Sequence, residues 1–261
     1  MIDPRTSVIS HRLKKISNIV AVSSGKGGVG KSIVAVSLAL ALSREGYSVG
    51  LFDIDFTSPS THVILGAKDT KPKEDKGLIP PVVKGLVYMS LVYYSGDLAV
   101  PLRGAETSNA LIELLAVTRW GKLDFLVIDM PPGIGDAMLD LIRLIENVKF
   151  LIVTSPSKLA FETVKKQAKL LKTMSISVLG IVENMTLRAS QTISKETEKL
   201  GLNYLGEIKY DSSLENTIGN VDELIKTDLW QKVREITLKK ILSKTTSGNL
   251  RNGEFQRKPN A

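Results

Sequence analysis

The chain has 261 residues, of which 43% are hydrophobic and none is cysteine, so it is long enough for one large α/β domain or two small ones and holds no disulfide or thiolate-bound cluster of its own. Its 35 Lys and Arg against 27 Asp and Glu give a formal net charge of +8. That charge permits contact with nucleic acid or an anionic membrane and equally describes a solvated basic surface. No apolar run approaches the roughly 20 residues that cross a bilayer, and Met1 to Lys15 lacks the apolar centre of a secretory signal, so the cytoplasm is the expected compartment.

Residues 1–17 read as a polar, partly basic lead-in, and a P-loop domain is expected over 18–244. The apolar run Ile19-Val20-Ala21-Val22 predicts a strand, and Ile33 to Leu42 predicts a helix. Between them lies Ser24-Gly25-Lys26-Gly27-Gly28-Val29-Gly30-Lys31-Ser32, which fits G-x-x-x-x-G-K-[ST] through Gly25, Gly30, Lys31 and Ser32. Glycines there let backbone N–H groups of Gly25, Gly27, Gly28, Val29 and Gly30 curl around phosphate oxygens, and the helix N-terminus adds its positive end. Lys31 would reach the β- and γ-phosphates of ATP and the Ser32 hydroxyl would ligate Mg²⁺.

Tyr47 to Phe52 predicts the next strand, which ends in Asp53-Ile54-Asp55. Two carboxylates just past a buried strand beside a P-loop are placed to meet Mg²⁺ or its waters, since ligands gather at the carboxyl ends of strands in open α/β sheets. Lys68 to Lys84 reads as a surface excursion; regularity resumes at Leu86 to Val92, and Arg103 to Trp120 has helical spacing. Phe125-Leu126-Val127-Ile128 has the continuous apolarity of a central parallel strand. It ends in Asp129-Met130-Pro131-Pro132-Gly133, an acid at a strand tip that would hold a magnesium-bound water, with the Gly133 N–H placed to sense a γ-phosphate.

Strands at Phe150–Val153, Val178–Val182 and Tyr204–Ile208 then alternate with helices at Ala160–Lys172 and Ser194–Leu200. The fold class is therefore α/β, a mainly parallel sheet with helices on both faces. Glu183-Asn184-Met185 follows one strand; the Asn184 amide can pair with a purine edge or simply form a turn. The last helix, near Leu229 to Leu242, reads either as a final core-packing helix or as a basic amphipathic helix on a membrane, and 245–261 reads as a disordered polar tail.

With these motifs assembled, the chain resembles the deviant Walker A P-loop ATPases that include MinD, ParA and the nitrogenase iron protein, marked by the additional Lys26. Within them it is most similar to the Mrp/ApbC branch of ATP-binding iron–sulfur cluster carriers, through Ala21 to Ser32, Asp53 to Ser60, Arg103-Gly104, Asp124 to Asp136 and Leu179 to Met185. The resemblance implies a homodimer in which Lys26 touches the partner's phosphates, Asp55 orients the attacking water, Asp53 and Asp129 hold the Mg²⁺ shell, and Asn184 reads adenine. Carriers of this branch have a C-x-x-C after the Val-Glu-Asn-Met segment, where this chain reads Thr186-Leu187-Arg188-Ala189-Ser190-Gln191; thiolates are what hold such clusters. Two roles follow: a switch in iron–sulfur assembly acting through a cysteine-bearing protein partner, or a MinD- or ParA-like regulator docking on membrane, nucleic acid or another protein.

Overall fold

The computed structural model describes residues 3–67, 70–95, 104–188 and 191–243. Ten strands occur among them: β1 Ile16–Ser24, β2 Val49–Asp53, β3 Lys73–Glu74, β4 Leu78–Ile79, β5 Val82–Val83, β6 Leu86–Ser90, β7 Leu123–Asp129, β8 Lys149–Thr154, β9 Ser177–Thr186 and β10 Tyr204–Lys209. The helices are α1 Arg5–Leu13, α2 Lys31–Arg44, α3 Thr61–Leu65, α4 Val92–Ser95, α5 Ala105–Val117, α6 Asp136–Leu144, α7 Lys158–Thr173, α8 Thr192–Lys199, α9 Val221–Leu224 and α10 Asp228–Ile236.

Eight strands form one sheet in the order β10-β9-β8-β1-β7-β2-β6-β5, parallel throughout except for the short edge strand β5, which runs antiparallel to β6. β3 and β4 make a separate small hairpin within the excursion. The three central strands β1, β7 and β2 have almost every residue buried, as expected of strands covered on both faces. Their register aligns Val22 with Asp129 and Asp129 with Asp53. The tips of three strands, and with them the P-loop and both acidic motifs, therefore meet at one edge of the sheet.

Helices cover both faces. One core joins Leu111 and Leu115 of α5, Met138 and Leu141 of α6, and Phe161, Val164 and Leu171 of α7; the other joins α2 with Ile64, Leu65, Val221, Leu229, Val233 and Ile236. Every residue of α2 from Val34 to Leu42 is buried, because this Ala- and Leu-rich helix lies between the sheet and α10 and has apolar neighbours all round.

Residues 5–13 correct the reading of a surface lead-in. They form α1, whose Ile9 and Leu13 are buried in the core shared with α5 and α6, so the polar run before β1 hides a two-residue apolar anchor. At the other end α10 packs against α2 and β10, with Leu229, Trp230, Val233 and Ile236 buried. Its apolar face is thus filled by the protein itself. The tail 245–261 and Arg103 lie outside the described residues.

Candidate functional site: a phosphate loop over buried acids

The floor of the site is a buried ionic cluster. Lys31, 7% exposed, places Nζ 2.6 Å from Asp129 Oδ1, 4.0 Å from Asp55 Oδ2 and 3.2 Å from Ser32 Oγ. Asp129 itself is fully buried, and burial, partly opposed by Lys31 and reinforced by Asp53, pushes its carboxyl up to about 7. Its Oδ2 is buried with no hydrogen-bond partner. An unpaired carboxylate oxygen in such a place is costly unless something outside the chain satisfies it.

Asp53 is equally buried but differently occupied. Its Oδ1 accepts the Asp55 N–H at 3.0 Å, and its Oδ2 accepts the Thr61 hydroxyl at 2.7 Å and the Thr61 N–H at 3.2 Å, with Tyr88 OH 2.9 Å behind Thr61. Both of its oxygens accept hydrogen bonds from the chain, so Asp53 braces the Asp53–Thr61 turn beside the site. Asp55 accepts from the Thr57 hydroxyl and the Ser58 N–H through Oδ1, leaving Oδ2 toward Lys31. No group of three or more His, Cys, Asp or Glu able to cage a metal exists among the described residues.

Over this floor curls the loop of residues 25–30. No N–H from Gly25 to Ile33 donates to a described residue, so a run of donors stands open at the start of α2. Gly28 and Gly30 have φ of +77° and +76°, which favours glycine. Gly25 is required for another reason: a Cβ there would lie 2.9 Å from Thr163 Cβ and 3.0 Å from the Val164 nitrogen, because the loop rests directly on α7. The Ser24 hydroxyl donates to the Lys26 carbonyl at 2.9 Å, and the Lys26 side chain is exposed, with no ion pair to a described residue. The N–H of Gly133 donates to the Ser24 carbonyl at 2.7 Å. That bond ties the exit of β7 to the P-loop.

A cavity of about 650 Å³ opens above the loop, a volume suited to a nucleotide. Gly27, Gly28, Lys31, Ser32 and Asp55 line one end, and Asn184, Met185, Lys209, Tyr210, Asp211 and Leu214 line the other. Asn184 is buried and donates its Nδ2 to the Val29 carbonyl at 3.0 Å. Its Oδ1 and the second Nδ2 hydrogen remain for a base, an acceptor and a donor on one amide edge. Sequence reasoning missed Thr61 and Tyr88, the supports of Asp53, and Tyr210; none sits in a spacing that marks it, since strand and loop neighbours come together only through the sheet order.

The model of a ParA-type family, described as NUBPL iron-transfer P-loop NTPase, matches residues 15–244. The chain belongs to this family. Among relatives of the NUBPL-type NTPase, an iron-sulfur cluster carrier protein from Pseudomonas fragi is 44% identical over 180 residues, 67% of this chain. The chain spans 62% of that protein's length, and 47% of the length of two further relatives of the same description. A nucleotide-binding protein from Archaeoglobus fulgidus, solved with ADP, superposes with a TM-score of 0.73 at 31% identity, covering 87% of this NTPase and 95% of that chain. The septum site-determining protein MinD from Pyrococcus horikoshii, solved with Mg-ADP, shares the fold with a TM-score of 0.64 at 20% identity, over 87% and 98% of the two chains.

Proposed function

We propose that this NTPase is a Mg²⁺-dependent ATPase that works as a nucleotide-gated homodimeric switch in iron–sulfur assembly. The observation that carries the reading is the Lys31–Asp129–Asp55 cluster beneath a loop of unpaired N–H groups. Those N–H groups bind the α- and β-phosphate oxygens, and Lys31 turns from Asp129 toward the β- and γ-oxygens. The residues fit Mg²⁺: Ser32 would supply a ligand oxygen, and Asp129, whose Oδ2 has no partner, would help hold the metal's shell. Bound there, Mg²⁺ neutralises charge that develops on the transferring phosphoryl group. Asp55 Oδ2, with Oδ1 anchored on Thr57 and Ser58, orients the attacking water. Asn184 reads the adenine edge with its Oδ1 as acceptor and its second Nδ2 hydrogen as donor.

Lys26 stands exposed at the cavity mouth, from where its ammonium reaches the phosphates bound by a second copy and stabilises the transition-state charge in trans. Ile134, Leu139, Leu159 and Leu187 lie in or beside the segments that follow β7, β8 and β9, and are 39%, 42%, 66% and 81% exposed, apolar surface at the same edge of the sheet for the copy to cover. This chain brings no thiol, so cluster ligands come from a cysteine-bearing protein partner, and the cytoplasm supplies the reducing setting. The test is the dependence of ATP hydrolysis on protein concentration. Turnover per chain that rises with concentration in the parent, and is lost in Lys26→Ala while ATP still binds, supports the shared site; turnover independent of both refutes it. Anaerobic reconstitution that yields no cluster on the chain or on any partner, with ATP binding intact, refutes the assembly role.

A further inference from the structure

The exit of β2 is held by a chain of buried polar groups that leads away from the nucleotide. Tyr88 of β6, Thr61 at the start of α3 and Asp53 are all buried, and neither Tyr88 nor Thr61 lines the cavity. The Thr61 hydroxyl donates to Asp53 Oδ2 at 2.7 Å, and Tyr88 OH lies 2.9 Å from Thr61 Oγ1. A threonine hydroxyl has a single hydrogen, so with that hydrogen on Asp53 the tyrosine is the donor in the second bond. Asp53 Oδ1 accepts the Asp55 N–H at 3.0 Å. The chain therefore runs from β6 through α3 to the main chain of Asp55. Fold stability alone does not call for it: Val and Phe would fill the same space, and exchanging both partners of a buried hydrogen bond for apolar groups of the same shape can be nearly neutral. What a satisfied buried network adds is a single, rigid position.

With Asp55 orienting the attacking water, as in the proposed ATPase, we infer that Thr61 and Tyr88 are positioning residues for Asp55, acting through the Asp53 carboxylate. Asp55 Oδ1 is bound to Thr57 and Ser58 of its own loop, and Oδ2 faces Lys31 at 4.0 Å. The place of that loop depends on its backbone: the Ile54 N–H donates to the Asp129 carbonyl at 3.0 Å, and the Asp55 N–H to Asp53. Without the Thr61 hydroxyl, Asp53 Oδ2 keeps only the Thr61 N–H at 3.2 Å. The carboxylate is then free to turn and to release the Asp55 N–H. A misplacement of about 1 Å at a reacting group costs about 100-fold in rate. The N–H groups that receive phosphate lie on a separate loop, so turnover suffers and ATP affinity does not. If the two residues served Asp53 as part of the metal's shell instead, the loss would be restored by added Mg²⁺.

The test combines steady-state ATP hydrolysis by the full chain, calorimetric ATP affinity and hydrogen exchange of the Asp55 N–H read by NMR. Thr61→Val keeps the shape of the side chain and removes its hydroxyl; it lowers kcat by about 100-fold and leaves the ATP Kd within about 3-fold. Thr61→Ser restores the hydroxyl and with it kcat, to within about 3-fold of the parent. Tyr88→Phe removes only the outer donor and lowers kcat by about 5-fold, the worth of one neutral hydrogen bond. The Asp55 N–H exchanges at least about 10-fold faster in Thr61→Val and at the parent's rate in Thr61→Ser. Circular dichroism equal to the parent's establishes that the variants are folded, and if Thr61→Val does not fold, kcat and Asp55 exchange in Tyr88→Phe decide. Turnover of Thr61→Val equal to that of an active parent overturns the inference. So does an equal loss in Thr61→Ser, a loss carried by the ATP Kd rather than by kcat, or one that added Mg²⁺ restores. A parent that binds ATP and does not hydrolyse it is a different failure: it refutes the ATPase itself, and the positioning role with it.

Discussion

Replacing Lys31 with Met tests the buried cluster apart from any catalysis. Methionine fills nearly the same volume, so the change removes a charge without opening a cavity. It leaves Asp129, fully buried, and Asp55, 6% exposed, without their cation. Breaking a buried pair in this way costs about 3–5 kcal/mol. The size depends on pH, with a sign fixed by the direction of the shift. Burial raises the Asp129 carboxyl to about 7 from 3.8, so the folded state holds its proton more tightly than the unfolded chain. The stability this proton lends is complete below pH 3.8 and is lost as the pH rises through about 7.

Between pH 6 and 8 the parent, whose carboxyl ionises within the window, loses about 1.4 kcal/mol from this group. Without Lys31, whose charge lowers it, the carboxyl keeps its proton to higher pH and the loss across the window is larger. The penalty of Lys31→Met therefore grows from pH 6 to pH 8. Urea unfolding at both pH values, followed by far-ultraviolet circular dichroism and the fluorescence of buried Trp120 and Trp230, measures it. An unchanged midpoint at pH 8, or a penalty flat across the window, refutes the account of the cluster as a cation balancing buried acids.

Other outcomes follow from the same geometry. Lys31→Ala abolishes ATP binding, measured by calorimetry. Asp55→Ala keeps ATP binding within a few-fold, stops turnover and accumulates an ATP-bound dimer on size exclusion; normal turnover removes Asp55 from the water-positioning role. Gly30→Ala, with φ at +76° and the Asn184 amide nitrogen in the way of a Cβ, destabilises the fold by about 2–4 kcal/mol through left-handed strain and overpacking, read as a lower urea midpoint. Tyr204→Phe removes the 2.8 Å hydrogen bond to Glu183 Oε2, a carboxylate whose Oε1 is already buried without a partner. It costs about 1–3 kcal/mol by thermal unfolding.

The parallel sheet was legible because its central strands are continuous apolar runs, each closed by a glycine-rich or acidic tip, and because strands and helices alternate. The P-loop was legible because spacing alone defines it. What escaped is the set of contacts that sequence distance hides. Thr61 reaches Asp53 across a turn of eight residues, and Tyr88 comes from β6 only because β6 lies beside β2. These two brace the Asp53 carboxylate from residues that no motif marks. Asn184 spends its amide nitrogen on Val29, 155 residues away, and Gly133 spends its N–H on Ser24. The apolar anchor of α1 escaped because Ile9 and Leu13 are diluted among Arg, Ser, Thr and His. A basic total charge could not disclose its own distribution, which depends on which lysines find acids in space.

Gly25 gives the P-loop an unusual neighbour. The closeness of residue 25 to Thr163, the Val164 nitrogen and the Ala160 carbonyl means there is no slack between the loop and α7. In a close-packed interior a shift of a few tenths of an ångström cannot be absorbed in place. Residue 25 therefore lies in direct contact with α7, whose far end is some 20 Å away along the helix. One missing methyl group thus lets the phosphate loop lie directly on the longest described helix.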